Sequence, residues 1–142
     1  MSGRMVNSEI PAVIQILLES LGLDAHSLRH GPYNWQVKQG SALIDIAYHE
    51  QSGLIIGEAI LCKIPTNHRS PLYKYLLSEN DRLEGLTFSV RDDQAVLSLL
   101  IHDRQFNIQK GKKLFQMLLD KADYYDNILV EQFGAEWIKD DD

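Results

Sequence analysis

Apolar residues near the start of the chain recur with a helical rhythm. In "NSEIPAVIQILLESLGL", Ile10, Val13, Ile14, Leu17, Leu18 and Leu21 fall on one face of a 3.6-residue turn. Ser8 is placed to cap this helix, Pro11 sits in its first turn where no amide is needed, and Gly22 can close it. After the polar connection "DAHSLRHGP" the period changes from 3.6 to 2. "YNWQVKQ" sets Tyr33, Trp35 and Val37 against Asn34, Gln36 and Lys38, and "ALIDIAYHE" continues with Ala42, Ile44, Ile46 and Tyr48. Gln39-Gly40 and Gln51-Ser52-Gly53 read as turns. "LIIGEAILCKI" is the most apolar run, which predicts a central strand covered on both faces over part of its length, and Pro65 ends it.

"SPLYKYLLSENDRL" predicts a short helix with Ser70 as cap and Pro71 as its first residue. "LTFSVR" and "QAVLSLLIH" predict two further strands joined at Asp92-Asp93. In the longest element, Leu114, Leu118, Ala122, Tyr125 and Leu129 form a stripe, and Phe115, Met117, Tyr124 and Ile128 widen it. Asn107 can cap that helix and Gly134 can stop it. Gly111, which costs about 1 kcal/mol against alanine, could move its start to Lys112. The predicted order is helix, three strands, helix, two strands, helix: an α+β fold with a mainly antiparallel sheet packed against helices.

A chain of 142 residues with this pattern is expected to form a single domain over 1–142, with an ordered core at about 8–134 and a frayed acidic tail. With 20 acidic against 14 basic residues the net charge is −6, which repels phosphate backbones and argues against nucleic-acid binding. No apolar run reaches membrane-spanning or signal-peptide form, so a soluble, cytoplasmic protein with no membrane partner is expected.

Candidate chemistry is sparse. Cys62 is the only cysteine and sits in an apolar run, where it should pack as a small hydrophobe. His26 and His30 have the i, i+4 spacing of paired metal ligands, which would make the chain a small metal-dependent enzyme. They fall in a polar connection with no accompanying carboxylate motif, so that reading is set aside. His49-Glu50 and His68 read as surface positions, and His102-Asp103 as strand neighbours pointing to opposite faces. Asp45 and Glu58 lie on strands that should pair, and exposure on the polar face is the simpler reading. With no nucleophile elbow and no phosphate loop, a non-enzyme without a cofactor is expected.

The segment 73–103 carries a resemblance. A helix ending in the polar pair Glu79-Asn80, the link Arg82-Leu83, a hairpin, and a closing helix with Asp123-Tyr124-Tyr125 are similar to the bacterial YbjN-like proteins. The order of elements resembles the type III secretion chaperone fold. The resemblance extends over residues 72–129 and before that is one of topology. It implies a dimeric protein-binding module and assigns no binding residues.

The short helix carries surplus apolar surface. Leu72, Tyr75 and Leu76 make one face, while Tyr73 and Leu77 make a second that one sheet cannot also cover. Tyr73 and Leu77 are therefore the candidate protein interface. The expected role is a non-catalytic, chaperone-like binding module that engages a protein or peptide partner as a homodimer. The alternative is a regulatory accessory protein with a folded partner.

Overall fold

The computed structural model describes residues 9–138; the expected Ser8 cap and the acidic tail at 139–142 lie outside them. Among the described residues seven antiparallel strands build one sheet: β1 (Arg29–Gly31), β2 (Asn34–Gln39), β3 (Ala42–His49), β4 (Leu54–Lys63), β5 (Leu86–Arg91), β6 (Gln94–His102) and β7 (Glu136–Trp137). Their order is β1-β2-β3-β4-β6-β5, with β7 paired to the end of β4. The helices are α1 (Ile10–Ser20), α2 (Ala25–Leu28), α3 (Ser70–Asn80) and α4 (Ile108–Phe133). The predicted α+β frame is present, and three short elements join it. The connection read as loop contains α2 and β1, each too short to show a period. After Gly134 turns left-handed (φ 74°), the chain returns to pair Trp137 with Cys62.

Alternation decides the core. On β3, Ala42, Ile44, Ile46 and Tyr48 are buried; on β4, Ile55, Gly57, Ala59 and Leu61 are. Against this face lie Ile14 and Leu17 of α1 and Phe115, Leu118, Ala122 and Leu129 of α4. Gly57 lets α4 come down onto the sheet, because a Cβ there would sit 2.9 Å from Leu118 and 3.1 Å from Phe115. Gly111 is kept inside α4 for the same reason: a Cβ would run into Phe106 and Leu17. The helix therefore does not slip its start to Lys112; Asn107 caps it, its Oδ1 accepting from Lys110 N–H at 2.8 Å.

Two expectations change. The strand β4 is central, but Leu54, Ile56, Glu58 and Ile60 on its other face are only half-buried. The adjacent buried pair Leu61 and Cys62 reflects a bulge between Ile60 and Cys62, where the chain inserts one residue into the ladder, and no second layer. At the start of α3, Arg69 and not Ser70 holds the cap position, with no side-chain cap bond. Arg69 is drawn away to Pro65 O (Nε, 2.7 Å) and Asp93 Oδ1 (Nη2, 3.1 Å), tying the loop before α3 to the β5–β6 turn. Among the described residues no helix is long and apolar enough to cross a membrane.

Candidate protein-binding site

The helix α3 leans on edge strand β5 and on α4, and its two apolar faces meet different surroundings. Leu72 and Leu76 are buried, and Tyr75 stacks near Phe133 with ring centroids 4.9 Å apart. Tyr73 is half-buried, whereas Leu77 is 70% exposed. Facing them, Phe88 of β5 is buried but Val90 is 43% exposed. Between the two elements runs a groove of about 310 Å³ lined by Tyr73, Leu76, Leu77, Asn80, Phe88 and Val90, together with Ser89. Tyr73 and Leu77 thus stand at one groove. Among the described residues no carboxylate, imidazole, ammonium or thiol lines it, so its chemistry is that of apolar contact.

The last turn of α3 fixes the groove's depth. Glu79 turns toward α4, where Tyr125 Oη donates to its Oε1 at 2.8 Å, and Arg82 approaches the same oxygen at 3.4 Å. Burial, and then the bond to Glu79, pushes the Tyr125 hydroxyl well above the ordinary phenol range. Asn80 turns the other way, toward β5. Its Oδ1 accepts from Phe88 N–H at 2.6 Å and its Nδ2 donates to Phe88 O at 3.2 Å. The Phe88 ring meets Tyr125 edge-on at 4.8 Å. Of the polar residues that carried the sequence resemblance, Glu79, Asn80, Arg82 and Tyr125 lie together beside Phe88, whereas Asp123 and Tyr124 are exposed. The sequence marked them as a motif but gave no sign that Asn80 would reach across eight residues to a strand.

The remaining candidates are scattered. His26 lies on α2 and His30 on β1, both exposed, so they do not share a helical face. Among the described residues no group of three or more His, Cys, Asp or Glu side chains is placed to hold a metal ion. His49, Glu50 and His68 are exposed. His102 and Asp103 do meet, contrary to strand alternation: Nδ1 lies 3.1 Å from Oδ1, because β6 ends at His102 and Asp103 begins a single 3-10 turn. Asp45 and Glu58 are directly cross-strand, yet each has its own partner, Gln36 for Asp45 (2.9 Å) and Arg91 for Glu58. Cys62 is fully buried, and burial, helped by the charge of Asp126, pushes its thiol up to about 12.

No protein-family model and no curated protein matches this sequence. Solved structures do match, and they share the fold. It is the fold of type III secretion chaperones and of YbjN. A chain of the ExsC–ExsE complex is similar over 91% of this chain and 97% of its own, at 16% identity and a TM-score of 0.67. YbjN from E. coli, described as a candidate transcription regulator, covers 90% and is covered over 95%, at 11% identity and a TM-score of 0.63. The Yersinia pestis type III secretion chaperone SycH, in complex with a fragment of YscM2, matches over 79% of this chain and 95% of that one, at 18% identity and a TM-score of 0.57.

Proposed function

We propose that this chain is a non-catalytic, cytoplasmic, single-domain binding module that engages a protein partner and acts as a homodimer through the α3–β5 groove. The observation that carries the reading is the groove itself: an apolar cleft with Leu77 projecting beside it. A projection and a cleft on one patch are self-complementary, so a two-fold axis seats Leu77 of each copy at the groove of the other. The fold supports a chaperone-like role, since SycH was solved bound to a partner fragment and ExsC–ExsE as a complex. Fold alone assigns no secretion role, because one fold hosts many functions.

A regulatory accessory role is the second reading, favoured by the similarity to YbjN. The two differ in the partner, an unfolded segment in the first case and a folded protein in the second. Recovery of partners from the native cytoplasm on wild-type protein and on a Tyr73→Glu, Leu77→Glu variant separates them. A partner segment that becomes protease-resistant only when bound supports the chaperone reading, and a partner folded on its own supports the regulator. Turnover of a small metabolite with no specific protein recovered would contradict both. Purified protein is expected to carry no stoichiometric metal; metal that a His26→Ala, His30→Ala variant loses would move the chain into the enzyme class.

A further inference from the structure

The strand β5 is an edge of the sheet, and an open edge is a template for another strand. Phe88 opposes Leu97 of β6, and both its N–H and its C=O are bonded to Asn80, so both point away from β6. In an antiparallel ladder that orientation repeats every second residue. Leu86, Phe88 and Val90 are therefore the positions whose backbone groups face outward. A strand added here would exchange a pair of hydrogen bonds with each. The Asn80 carboxamide already makes both bonds of the middle pair, as a residue of a neighbouring strand would. Its occupation leaves no two adjacent outward positions vacant on a six-residue strand.

We infer that Asn80 is a built-in substitute strand that closes β5 to sheet extension and limits the α3–β5 groove to a second copy docking by apolar side chains. The limit on the partner rests on the proposed homodimer, whereas the closure of the edge stands apart from it. Glu79 makes the closure firm: anchored on Tyr125, it holds the last turn of α3 so that the next side chain reaches Phe88. The consequence is specificity. Without Asn80 the same surface would pair indiscriminately with extended segments, including β5 of other copies.

Amide hydrogen exchange and sedimentation velocity on Asn80→Ala and Asn80→Asp test this. In Asn80→Ala the Phe88 amide should exchange about tenfold faster than in wild type, on the scale of one lost hydrogen bond, while Leu97 and Leu99 stay protected. Asn80→Asp keeps the acceptor and should keep Phe88 slow. Asn80→Ala should also form larger species with rising concentration than wild type does, and adding Thr87→Lys, on the exposed face of β5 away from the groove, should return it to the wild-type distribution. An unchanged Phe88 rate in Asn80→Ala, or assembly no greater than wild type, would overturn the inference. A monomeric wild type would refute the dimer reading and leave the exchange contrast at Phe88 to decide the closure.

Discussion

Asp126 sits on the buried side of α4 with one carboxylate oxygen bonded to Ser41 Oγ and the other, Oδ1, without a hydrogen-bond partner among the described side chains. Burial pushes its carboxyl above the ordinary range; Ser41 opposes the shift, neighbouring Asp123 adds to it, and the adjacent Asn127 backbone amide opposes it more weakly. The folded chain therefore holds this proton more tightly than the unfolded chain. The stabilisation that goes with it is fully present below the ordinary carboxylate value and is lost as pH rises through the raised one. Asp126→Asn should flatten that part of a stability-versus-pH curve and gain about 1 kcal/mol near neutrality, the scale of an unmatched buried polar group. Thermal melts from mildly acidic to neutral pH check it, and a slope unchanged by the substitution would count against the account. Cys62 gives a second test. Buried and protonated, it should resist alkylation in native protein and react fully once denaturant is added. The two residues also mark where sequence reading stops. Cys62 was legible from the apolar run around it. Asp126 was not, because its burial depends on Ser41, 85 positions away in a turn.

At the scale of elements, the long periodic segments were legible and the short ones were not. The stripe read on α4 is buried at Phe115, Leu118, Ala122, Tyr125 and Leu129, although Tyr124, read as widening it, is 55% exposed; β3 alternates over its whole length, as read. The four-residue α2, the three-residue β1 and the two-residue β7 are set by what they dock against, which no local period reports. Ser70 shows the same limit, since a side chain with cap chemistry lost the position to Arg69, held elsewhere by Pro65 and Asp93. The junction of α3 with α4 rests on Glu79 and Tyr125, whose spacing of 46 positions is likewise invisible locally. Tyr125→Phe should destabilise the fold by about 1–2 kcal/mol, because it removes a buried hydrogen bond to a carboxylate and leaves Glu79 Oε1 with only the longer contact to Arg82. A double-mutant cycle with Glu79→Gln, read by denaturant unfolding, should show coupling between the two; strictly additive effects would contradict the junction.

The whole molecule has a well-filled helical side and an apolar groove at one end of its sheet. Half of this was visible beforehand: Tyr73 and Leu77 stood out because one helix cannot bury two apolar faces on one sheet. The other wall, Phe88 and Val90, was hidden, since nothing in the hairpin sequence says that α3 returns to lie along β5. The central claim is that this groove is a protein interface shared between two copies. Light scattering at micromolar concentration, on wild type and on Tyr73→Glu, Leu77→Glu, tests it most directly. The account predicts a wild-type mass of twice the chain and a variant mass of one chain, with the variant's circular dichroism unchanged. A wild type that runs as a monomer, or a variant that remains dimeric, would contradict it.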